Sequence, residues 1–505
     1  MTQQTRQHFL ASTLNQAHIA AKQGFLHSSQ LKRKEREALI QSGWLQKIIK
    51  GWYLLSQPSA EKGQSTAWYA TYWNFVRFYL NKRFGQDYCL SASDSLDLLL
   101  GNTIIPRQLL VMTKKGGSFM LKLPHQTSIL IYEEKNSFPE KLDTFQNIQV
   151  MTLSVALCRV PEKYFQQQPQ QAELALKYVS TEDLAYTLLG GKYLKAAERI
   201  IGAYQFLGLH DIAERLKKDM NSAGYQIQAV LNPFKIDTPL LASTRIQSPY
   251  AARILLLWQD MRKTVLTAFP ASPGLPKNTS AYFETLDHLY VQDAYHSLSI
   301  EGYQVTESLI QKIAEGKWQP EHLQSDREHL NALAARGYYE AFLEVKKSIQ
   351  KIFDGNIPGE IIKKELHDWY RALFSSSIKA GIIEPQHLAG YRQQAVFICG
   401  SSHVPLPKDA VIDAMESFFD CLIHEKEAAV RAVLGHFLFV FIHPYMDGNG
   451  RTGRFLMNAM LASGGYPWLI IPVEQRSIYM STLEKASVEK DIMPFVQFLN
   501  SLLNS

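Results

Sequence analysis

Hydrophobic positions recur at helical spacing through the C-terminal half of the chain. The segment Ala428–Ile442 is apolar on nearly every side, which predicts a helix that is buried all round. Pro444 disfavours helical backbone at the residue before it, so this helix should end at or before His443. A glycine-spaced loop follows, and from about Arg451 the helical spacing begins again.

The pattern over residues 236–505 predicts one mostly α-helical domain with a core at about 282–500. A linker rich in Pro, Gly and Ser, Pro270–Ser280, precedes a predicted helix over Tyr282–Ile300. The segment Ala395–Pro407 alternates between apolar and polar residues and turns at its middle, which predicts a β-hairpin. An ordinary surface hairpin is the plain interpretation of that segment.

The middle of the chain, residues 61–235, mixes strand-like and helical patterns. Two apolar strand-like runs lie on either side of a turn that contains two glycines, and they are Gln108–Thr113 and Thr127–Tyr132. Helical spacing covers the segments Thr66–Asn81, Gln170–Ala185 and Leu194–Met220. An α/β middle domain is therefore predicted, and it contains no phosphate-binding loop, kinase signature or nucleophile elbow.

Residues 1–60 have the pattern of a winged helix-turn-helix. A helix over Thr5–Lys22 is followed by a short second helix over Ser28–Lys32 and a third over Lys34–Ser42. In the third helix, Leu39 and Ile40 are expected to point inward. The runs Leu45–Ile49 and Trp52–Leu55 then predict a hairpin with its turn at Lys50-Gly51.

Charge adds a possible partner to this picture. The net charge of the chain is +6, and the first 60 residues hold eight Lys or Arg residues against two Glu, which accounts for the whole excess. The cations gather at the start of the third helix and at the hairpin tip, where a DNA reader contacts phosphates; they are Lys32, Arg33, Lys34, Arg36, Lys47 and Lys50. Duplex DNA is the favoured partner, and a solvated basic face on a protein-docking domain is the alternative.

Length and composition set the class of protein. A chain of 505 residues suggests about three domains, and 46% hydrophobic with 20% charged residues is ordinary globular composition. The four cysteines, Cys89, Cys158, Cys399 and Cys421, form no CxxC pair, which argues against a zinc site and fits a reducing compartment. The longest apolar run is about half of the ~20 residues that a membrane span needs. A soluble cytoplasmic protein without a membrane partner is expected.

The loop His443–Arg454 carries the candidate chemistry. Gly448 and Gly450 lead into a helix N-terminus, and such a turn aims several backbone N–H groups at one anion. Arg451 and Arg454 lie three positions apart near the start of that helix, and two fixed cations suit a polyphosphate. The plain alternative is a glycine-rich turn in which His443 caps the buried helix. The combination of residue types within twelve positions favours a site.

The same stretch, His-Pro-Tyr-Met-Asp-Gly-Asn-Gly-Arg-Thr-Gly-Arg, resembles the signature of the Fic (filamentation induced by cAMP) family. Tyr445 replaces the usual Phe, which keeps an aromatic ring and adds a hydroxyl that needs a partner. The resemblance implies a protein adenylyltransferase that moves AMP from Mg-ATP to a Ser, Thr or Tyr hydroxyl of a target protein, including itself. A homo-oligomer stays open.

The resemblance also assigns roles within the loop. It implies that His443 is the general base and that Asp447 holds Mg²⁺. It implies a nucleotide site formed by Asp447, Gly448, Asn449, Gly450, Arg451, Thr452, Gly453, Arg454 and, near the adenine, Tyr479. Ser487 stands where relatives often have Asn, so a donor other than ATP stays open.

Ser297, Glu301 and Gly302 end the predicted helix Tyr282–Ile300. By itself this is a helix end with one acid, followed by a glycine C-cap. Beside the signature, the pattern resembles the family's inhibitory motif, Ser/Thr-x-x-x-Glu-Gly/Asn. The resemblance implies that Glu301 pairs with Arg454 and keeps the γ-phosphate from docking productively.

Two further resemblances concern partners. The predicted hairpin resembles the Fic flap, which clamps a target segment by strand addition, through Ile398, Cys399, Gly400, Ser401, Ser402 and His403. Residues 1–240 loosely resemble AbiEi-type antitoxins. This leaves open a DNA-binding regulator or antitoxin-like module whose Fic domain senses a nucleotide. Transfer of UMP or phosphocholine, phosphorylation and removal of AMP are the enzymatic alternatives.

Overall fold

The computed structural model describes the chain except for residues 1–2, 22, 57–65, 191–192, 228–230, 235–247, 318–325, 382, 384, 389, 399 and 505. Packing divides the protein into two units. The first comprises residues 1–242 together with 397–404, and the second comprises residues 243–396 together with 405–505.

The N-terminal region of the first unit contains two helices, a 3₁₀ turn and a small antiparallel sheet. Its elements are α1 (Gln3–Ala20), β1 (Phe25–His27), the turn Ser28–Gln30, α2 (Arg33–Gln41), β2 (Leu45–Ile49) and β3 (Trp52–Leu55), with strand order β1-β3-β2. Gly51 closes the β2–β3 hairpin with a φ of +84°, a conformation that favours glycine.

Three details of this region differ from the expected pattern. Residues 28–30 form one 3₁₀ turn where a short second helix was predicted, because the preceding residues Phe25–His27 extend to pair with β3. The strand formed by these residues, β1, was not predicted. Ile40 is 42% exposed where it was expected to point inward. Neighbouring helical side chains point about 100° apart, and Leu39 takes the inward direction.

A four-stranded mixed sheet follows. Its order is β4-β5-β7-β6, in which β5 and β7 are parallel and the other pairs are antiparallel. A separate hairpin, β8-β9, completes the strands. In chain order the elements are α3 (Thr66–Phe84), β4 (Tyr88–Leu90), α4 (Ala92–Leu99), β5 (Gln108–Thr113), β6 (Phe119–Lys122), β7 (Ser128–Glu133), β8 (Leu142–Phe145) and β9 (Ile148–Met151).

Six helices are described in the rest of the first unit. They are α5 (Leu153–Arg159), α6 (Tyr164–Gln167), α7 (Pro169–Tyr178), α8 (Thr181–Gly190), α9 (Leu194–Phe206) and α10 (His210–Ser222). Each of the two long helices predicted here is in fact a pair. The first breaks at Ser180, whose hydroxyl accepts a hydrogen bond from the Asp183 N–H and so starts a new helix. The second breaks at Gly208, where φ is +74°.

The second unit is helical in its described residues. Its elements are α11 (Pro249–Ala268), α12 (Thr279–Ile300), α13 (Glu307–Ala314), α14 (Asp326–Phe353), α15 (Pro358–Lys379), α16 (Val411–His424), α17 (Ala428–Ile442), α18 (Asn449–Ala462), α19 (Arg476–Glu484) and α20 (Met493–Leu503). Helix α17 is the central element, because α11, α16 and α18 all pack against it. In the part of the chain that the structure describes, no helix is both long and apolar enough to cross a membrane.

The β-hairpin predicted over 395–407 is wrong. The described residues of this stretch form no strand pair with each other, although Gly400 does turn the chain with a φ of +77°. Within the first unit, His403 instead makes an isolated antiparallel bridge with Ile104. Pro405 and Pro407 lack the N–H groups that a ladder between the two arms would need.

Candidate active site

Helix α17 ends where its sequence predicts, and it carries His443 to the rim of the site. Apart from Val440, every residue of the helix is buried. The His443 N–H still donates to the Phe439 carbonyl at 3.0 Å, but His443 itself is left-handed, with φ 54° and ψ 60°. A non-glycine residue rarely adopts this conformation, so neighbouring contacts must hold it there.

The loop after His443 is held in place by contacts with α15. Gly448 has a φ of +79°, and a Cβ at that position would lie 2.8 Å from the Phe374 ring. Tyr445 stacks on Tyr370 with 3.7 Å between the ring centroids, and its hydroxyl lies 3.3 Å from His367 Nδ1. The hydroxyl that distinguishes this tyrosine from the family's phenylalanine therefore has a partner.

Asn449 holds this loop together from inside. Its side-chain Oδ1 accepts from the Tyr445 N–H at 2.9 Å, and its Nδ2 donates to the Tyr445 carbonyl at 2.9 Å. The residue is 2% exposed. Asn449 therefore shapes the turn with its side chain and offers a ligand only its backbone, at the first position of α18.

Two arginines of α18 are buried beside this turn. The guanidinium of Arg451 lies over the rings of Tyr303 and Phe374, and its Nη2 is 3.3 Å from Asp447 Oδ2. Its Nε lacks a hydrogen-bond partner among the described residues, as does Nη1 of Arg454. Buried donors of this kind need an acceptor, and the oxygens of a polyphosphate would supply one.

Arg454 is held from the end of α12. Its Nε donates to Ser297 Oγ and its Nη2 to the Ser297 carbonyl, both at 2.9 Å. Nη2 also donates to Glu301 Oε1 at 2.8 Å. The guanidinium of Arg454, the last arginine of the loop, is thus bound by Ser297 and Glu301. Both residues lie more than 150 positions earlier in the chain.

The Glu301 carboxylate occupies the space over the turn. A Cβ at Gly450 would collide with Glu301 Oε1, and it would lie 3.2 Å from Arg454 Nη1. Gly302, with a φ of +88°, ends the helix directly after Glu301. Burial alone would raise the pKa of Glu301, but the charges of Arg454 and Arg451 outweigh it and hold the pKa below its ordinary value. The carboxylate is therefore ionised at neutral pH.

His443 is poised as a neutral base. Burial lowers the pKa of its imidazole to about 4. Its Nδ1 lies 3.2 Å from the Val440 carbonyl, which can only accept, so Nδ1 carries the proton and Nε2 presents a lone pair. His443 as a whole is half-buried.

Asp447 fits a metal that arrives with phosphates. Its side chain is 65% exposed and lies next to the buried Arg451. One carboxylate oxygen accepts from the Gly448 N–H at 2.6 Å. Mg²⁺ is commonly held in proteins by one or two carboxylates together with substrate phosphates, and one exposed carboxylate beside unpaired arginine N–H groups provides that donor set.

Three other members of the predicted nucleotide set are enclosed by protein. Thr452 is fully buried, and a Cβ at Gly453 would meet the His436 ring, so α18 packs tightly here. Tyr479 is 1% exposed, and its hydroxyl lies 2.8 Å from His436 Nε2. The contact between Tyr479 and adenine stays a prediction, because the described structure encloses this ring instead of leaving it open to a ligand.

The residues predicted to form the target flap belong to the first unit. Ile398, Gly400, Ser401, Ser402 and His403 lie in the segment 397–404, while Cys399 lies outside the described residues. The Ile105 N–H donates to the Ser402 carbonyl at 3.2 Å, and the Val404 N–H donates to the Thr103 carbonyl at 3.3 Å. His403 is buried, and its Nδ1 lies 3.2 Å from Thr103 Oγ1.

The N-terminal cations lie at the start of α2 and at the β2–β3 turn. Two of the cationic side chains are engaged within the protein: Arg33 pairs with Glu37 at 2.7 Å, and Arg36 donates to the Ser28 carbonyl at 2.9 Å. Lys32 donates to Glu35 through its backbone N–H, so its ammonium group is not used in that bond. The side chains of Lys34, Lys47 and Lys50 are exposed.

Sequence reasoning missed the layer behind the arginines. Tyr338 on α14 donates to Asp293 Oδ2 at 2.6 Å, and burial raises the pKa of Asp293 to about 6. Phe374 and Tyr303 wall Arg451, and Arg392 contacts the His443 backbone. For Asp293, Tyr338 and Phe374 the signal in the sequence was an aromatic or charged residue at a helical core position, which does not reveal its partner. Tyr303 and Arg392 lie outside the helices and gave no such signal.

Comparison with known proteins gives three findings. Residues 361–461 match the Fic/DOC family model. Proteins named protein adenylyltransferase Fic from Drosophila willistoni and Drosophila virilis are 35% and 34% identical, over 48% and 45% of this chain. The chain spans 44% of the length of each of these relatives. A solved structure, Fic-1 from C. elegans, is 17% identical with a TM-score of 0.37, over 70% of this chain and 88% of that one.

Proposed function

We propose that this chain, which carries a Fic/DOC domain, is a protein adenylyltransferase that transfers AMP from ATP to a Ser, Thr or Tyr hydroxyl of a protein. The domain match and the relatives named as adenylyltransferases support AMP transfer. The observation that carries the proposal is the arrangement in one loop of a neutral histidine, a helix N-terminus and two buried arginines with unpaired N–H groups.

In the proposed reaction, His443 Nε2 takes the proton from the acceptor hydroxyl as the hydroxyl oxygen attacks the α-phosphorus. The bond from that phosphorus to the β-phosphate breaks, and pyrophosphate leaves. Because burial keeps the imidazole neutral, it can accept this proton without first losing one. The transferred AMP ends as a phosphodiester on the target.

The phosphates would be held by fixed donors. Backbone N–H groups at the first turn of α18, around Gly450, face the α- and β-phosphates in this proposal, and the positive end of the helix adds attraction. Arg451 and Arg454 would take the β- and γ-phosphates. Mg²⁺, held by Asp447, would neutralise charge that develops on the leaving pyrophosphate. Such groups act mainly by positioning and charge stabilisation.

Glu301 would hold the enzyme mostly inactive. Its carboxylate occupies an N–H of Arg454 that the γ-phosphate needs, and its negative charge lies over Gly450, where phosphate would enter. Competition for the arginine and repulsion of the phosphate both disfavour productive ATP. This is the proposed inhibitory role of the Ser297–Glu301–Gly302 motif.

The donor is tested by offering the Glu301→Gly protein ATP, UTP, CTP or CDP-choline with Mg²⁺ and measuring its intact mass. We expect a gain of one or more adenylyl groups with ATP and a smaller or no gain with the other donors. A gain of phosphate alone from ATP would replace AMP transfer by phosphorylation. A gain only from another donor would reassign the transferred group.

The low pKa of His443 predicts an unusual pH profile. Protonation removes the base, so kcat/KM should fall only as the pH drops towards about 4, and no histidine-like transition should appear near 6.5. Glu301 raises this pKa, so its removal lowers the pKa further. The measurement is kcat/KM of Glu301→Gly between pH 5 and 8 at saturating Mg²⁺.

The titration of Asp293 must be distinguished from that of His443 in this profile, because the pKa of Asp293 is about 6. The control is Asp293→Asn in the same background, which removes this second titration. A transition near 6.5 that persists in the control would mean that His443 has an ordinary pKa, and the proposed neutral base would then be wrong.

A DNA-binding regulator with a nucleotide-sensing Fic domain is the second candidate. The observation that favours it is the set of exposed cations Lys34, Lys47 and Lys50 on the helix and hairpin of the N-terminal region. In a winged helix-turn-helix these are positions where the recognition helix and the wing meet phosphates. Binding through these cations would leave the Fic domain chemistry unchanged.

The salt dependence of duplex binding tests this candidate on the full chain. Neutralising two of the exposed cations, Lys34→Gln with Lys47→Gln, should lower the slope of log K against log salt by about 1.8, the share of two phosphate contacts. Lys363→Gln with Lys364→Gln is the matched control, because both lysines are exposed on α15 and the charge change is the same. Absence of binding at low salt, or equal slopes, would favour protein docking.

A further inference from the structure

Arg392 is a buried residue that donates hydrogen bonds to backbone carbonyl groups in two places. One is the start of the His443–Arg454 loop, and the other is the pair Gln394 and Leu406. Arg392 is 3% exposed. Its Nε donates to the His443 carbonyl at 2.7 Å, its Nη1 donates to the Gln394 carbonyl at 3.0 Å, and its Nη2 donates to the Leu406 carbonyl. Its backbone N–H donates to the Pro444 carbonyl at 2.9 Å. One residue therefore contacts four carbonyl groups of the second unit.

This cation is held by carbonyl oxygens alone. Among the described residues, no carboxylate makes an ion pair with Arg392, and burial lowers its pKa to about 10. Burying a charge without a counter-charge is costly unless its hydrogen bonds are all well made. The planar fork of arginine can reach three acceptors in fixed directions, which a lysine ammonium cannot copy. The position is therefore specific for a guanidinium.

The bond to His443 acts on a strained residue. His443 is left-handed, and the direction of its carbonyl is set by a ψ of 60°. Nε of Arg392 holds that carbonyl, and the Arg392 N–H holds the next one, at Pro444. On the other side, Asn449 clamps Tyr445. The backbone that carries the imidazole is thus fixed from both directions.

The other two bonds reach residues on either side of the predicted target-binding residues 398–403. Gln394 and Leu406 flank residues 397–404, and one guanidinium binds the carbonyls of both. We propose that Arg392 is a positioning residue for the transfer reaction, which fixes the backbone of His443 and joins it to Gln394 and Leu406 of the same unit in one geometry. This inference rests on the proposed function and adds a role that no residue of the loop itself supplies.

The test compares two buried arginines in the Glu301→Gly background. Arg392→Lys keeps the positive charge and removes the planar guanidinium group that reaches three carbonyl acceptors. Arg431→Lys is the matched control, because Arg431 is also buried in the second unit and donates to the carbonyls of Glu425 and Lys426. We measure the single-turnover rate of self-modification at saturating Mg-ATP, the Kd for a fluorescent ATP analogue, and the Tm.

Arg392→Lys should lower the single-turnover rate by about 10- to 100-fold, since a misplacement of about 1 Å can cost that much. Its nucleotide Kd should stay within about twofold, because the phosphate-binding groups are elsewhere. Arg431→Lys should change the rate by less than about threefold, even if its Tm falls as much as the Tm of Arg392→Lys. Equal losses in both variants, or an unchanged rate in Arg392→Lys, would overturn the proposal.

A readout independent of activity separates this inference from the proposed function. In protein labelled at histidine Cε1, the NMR signal that is absent from His443→Ala reports His443. We expect that signal to shift or broaden in Arg392→Lys and to stay in place in Arg431→Lys, whether or not AMP is transferred. If Arg392→Lys does not fold, Arg392→Gln replaces it under the same criteria. An unmoved signal would contradict positioning.

Discussion

Glu301→Gly is expected to raise self-modification with Mg-ATP by about 10- to 100-fold over the wild-type chain. The carboxylate of Glu301 accepts from Arg454 at 2.8 Å and lies over Gly450, so removing it frees both the cation and the space. A hydrogen bond to a charged group contributes about 1.5–3 kcal/mol, and each 1.4 kcal/mol corresponds to about tenfold. Initial rates of AMP incorporation at one ATP concentration measure the effect.

The charge of Glu301 can be separated from its size. Glu301→Gln keeps the shape and removes the charge, so it should activate the protein less than Glu301→Gly. Glu284→Gln makes the same charge change at an exposed position on the same helix, α12, and should leave the rate unchanged. A Glu301→Gly protein that is no faster than wild type with any donor would contradict the inhibitory role of Glu301.

His443→Ala, placed on Glu301→Gly, is expected to remove the gain and to lower the rate by about 10²- to 10⁴-fold, the contribution typical of a general base. The imidazole is the neutral group whose Nε2 can take the hydroxyl proton. The groups proposed to bind phosphate lie on α18 and stay in place. The nucleotide Kd should therefore remain within about threefold while transfer is lost.

Two controls accompany that variant. The Tm must match that of the parent, because His443 occupies a strained left-handed position whose relief in alanine could change stability. Tyr445→Phe restores the family's usual residue in the same loop and should keep transfer near the parent rate. Transfer at the parent rate by a folded His443→Ala protein would show that His443 is not the base.

The local structure of the site was predictable because its signals are local. The apolar run of Ala428–Ile442 and Pro444 set one helix and its end, and the structure confirms both. The strand Gln108–Thr113 is confirmed with the predicted bounds, since its apolar run is bounded by turn residues. Glycines marked the turn before α18, although that helix begins at Asn449, two residues earlier than predicted.

Contacts between distant segments could not be read from the residues. The pairing of Glu301 with Arg454 was expected only through family resemblance, because spacing along the chain does not bring a helix end to a loop 153 positions away. Arg392 gave no signal at all, since its partners are carbonyl groups that every residue has. Its use depends entirely on the tertiary fold.

The hairpin prediction failed because its hydrogen-bond partners are distant in sequence. Alternation over Ala395–Pro407 was taken as a ladder between two local arms, but the hydrogen bonds go to Thr103–Ile105, about 300 positions away. A strand pattern specifies which groups need partners and not where those partners lie. The nucleotide-site role of Asn449 stays a prediction; its side chain bonds to Tyr445.

The central claim is AMP transfer from a site restrained by Glu301, and ATP labelled at either of two positions tests it most directly. Glu301→Gly is incubated with Mg-ATP labelled at the α-phosphorus or at the γ-phosphorus, with Glu301→Gly/His443→Ala in parallel. The account predicts protein-bound label from the α position alone, and none in the double variant. Label from the γ position, or α label that is equal in the double variant, would contradict it.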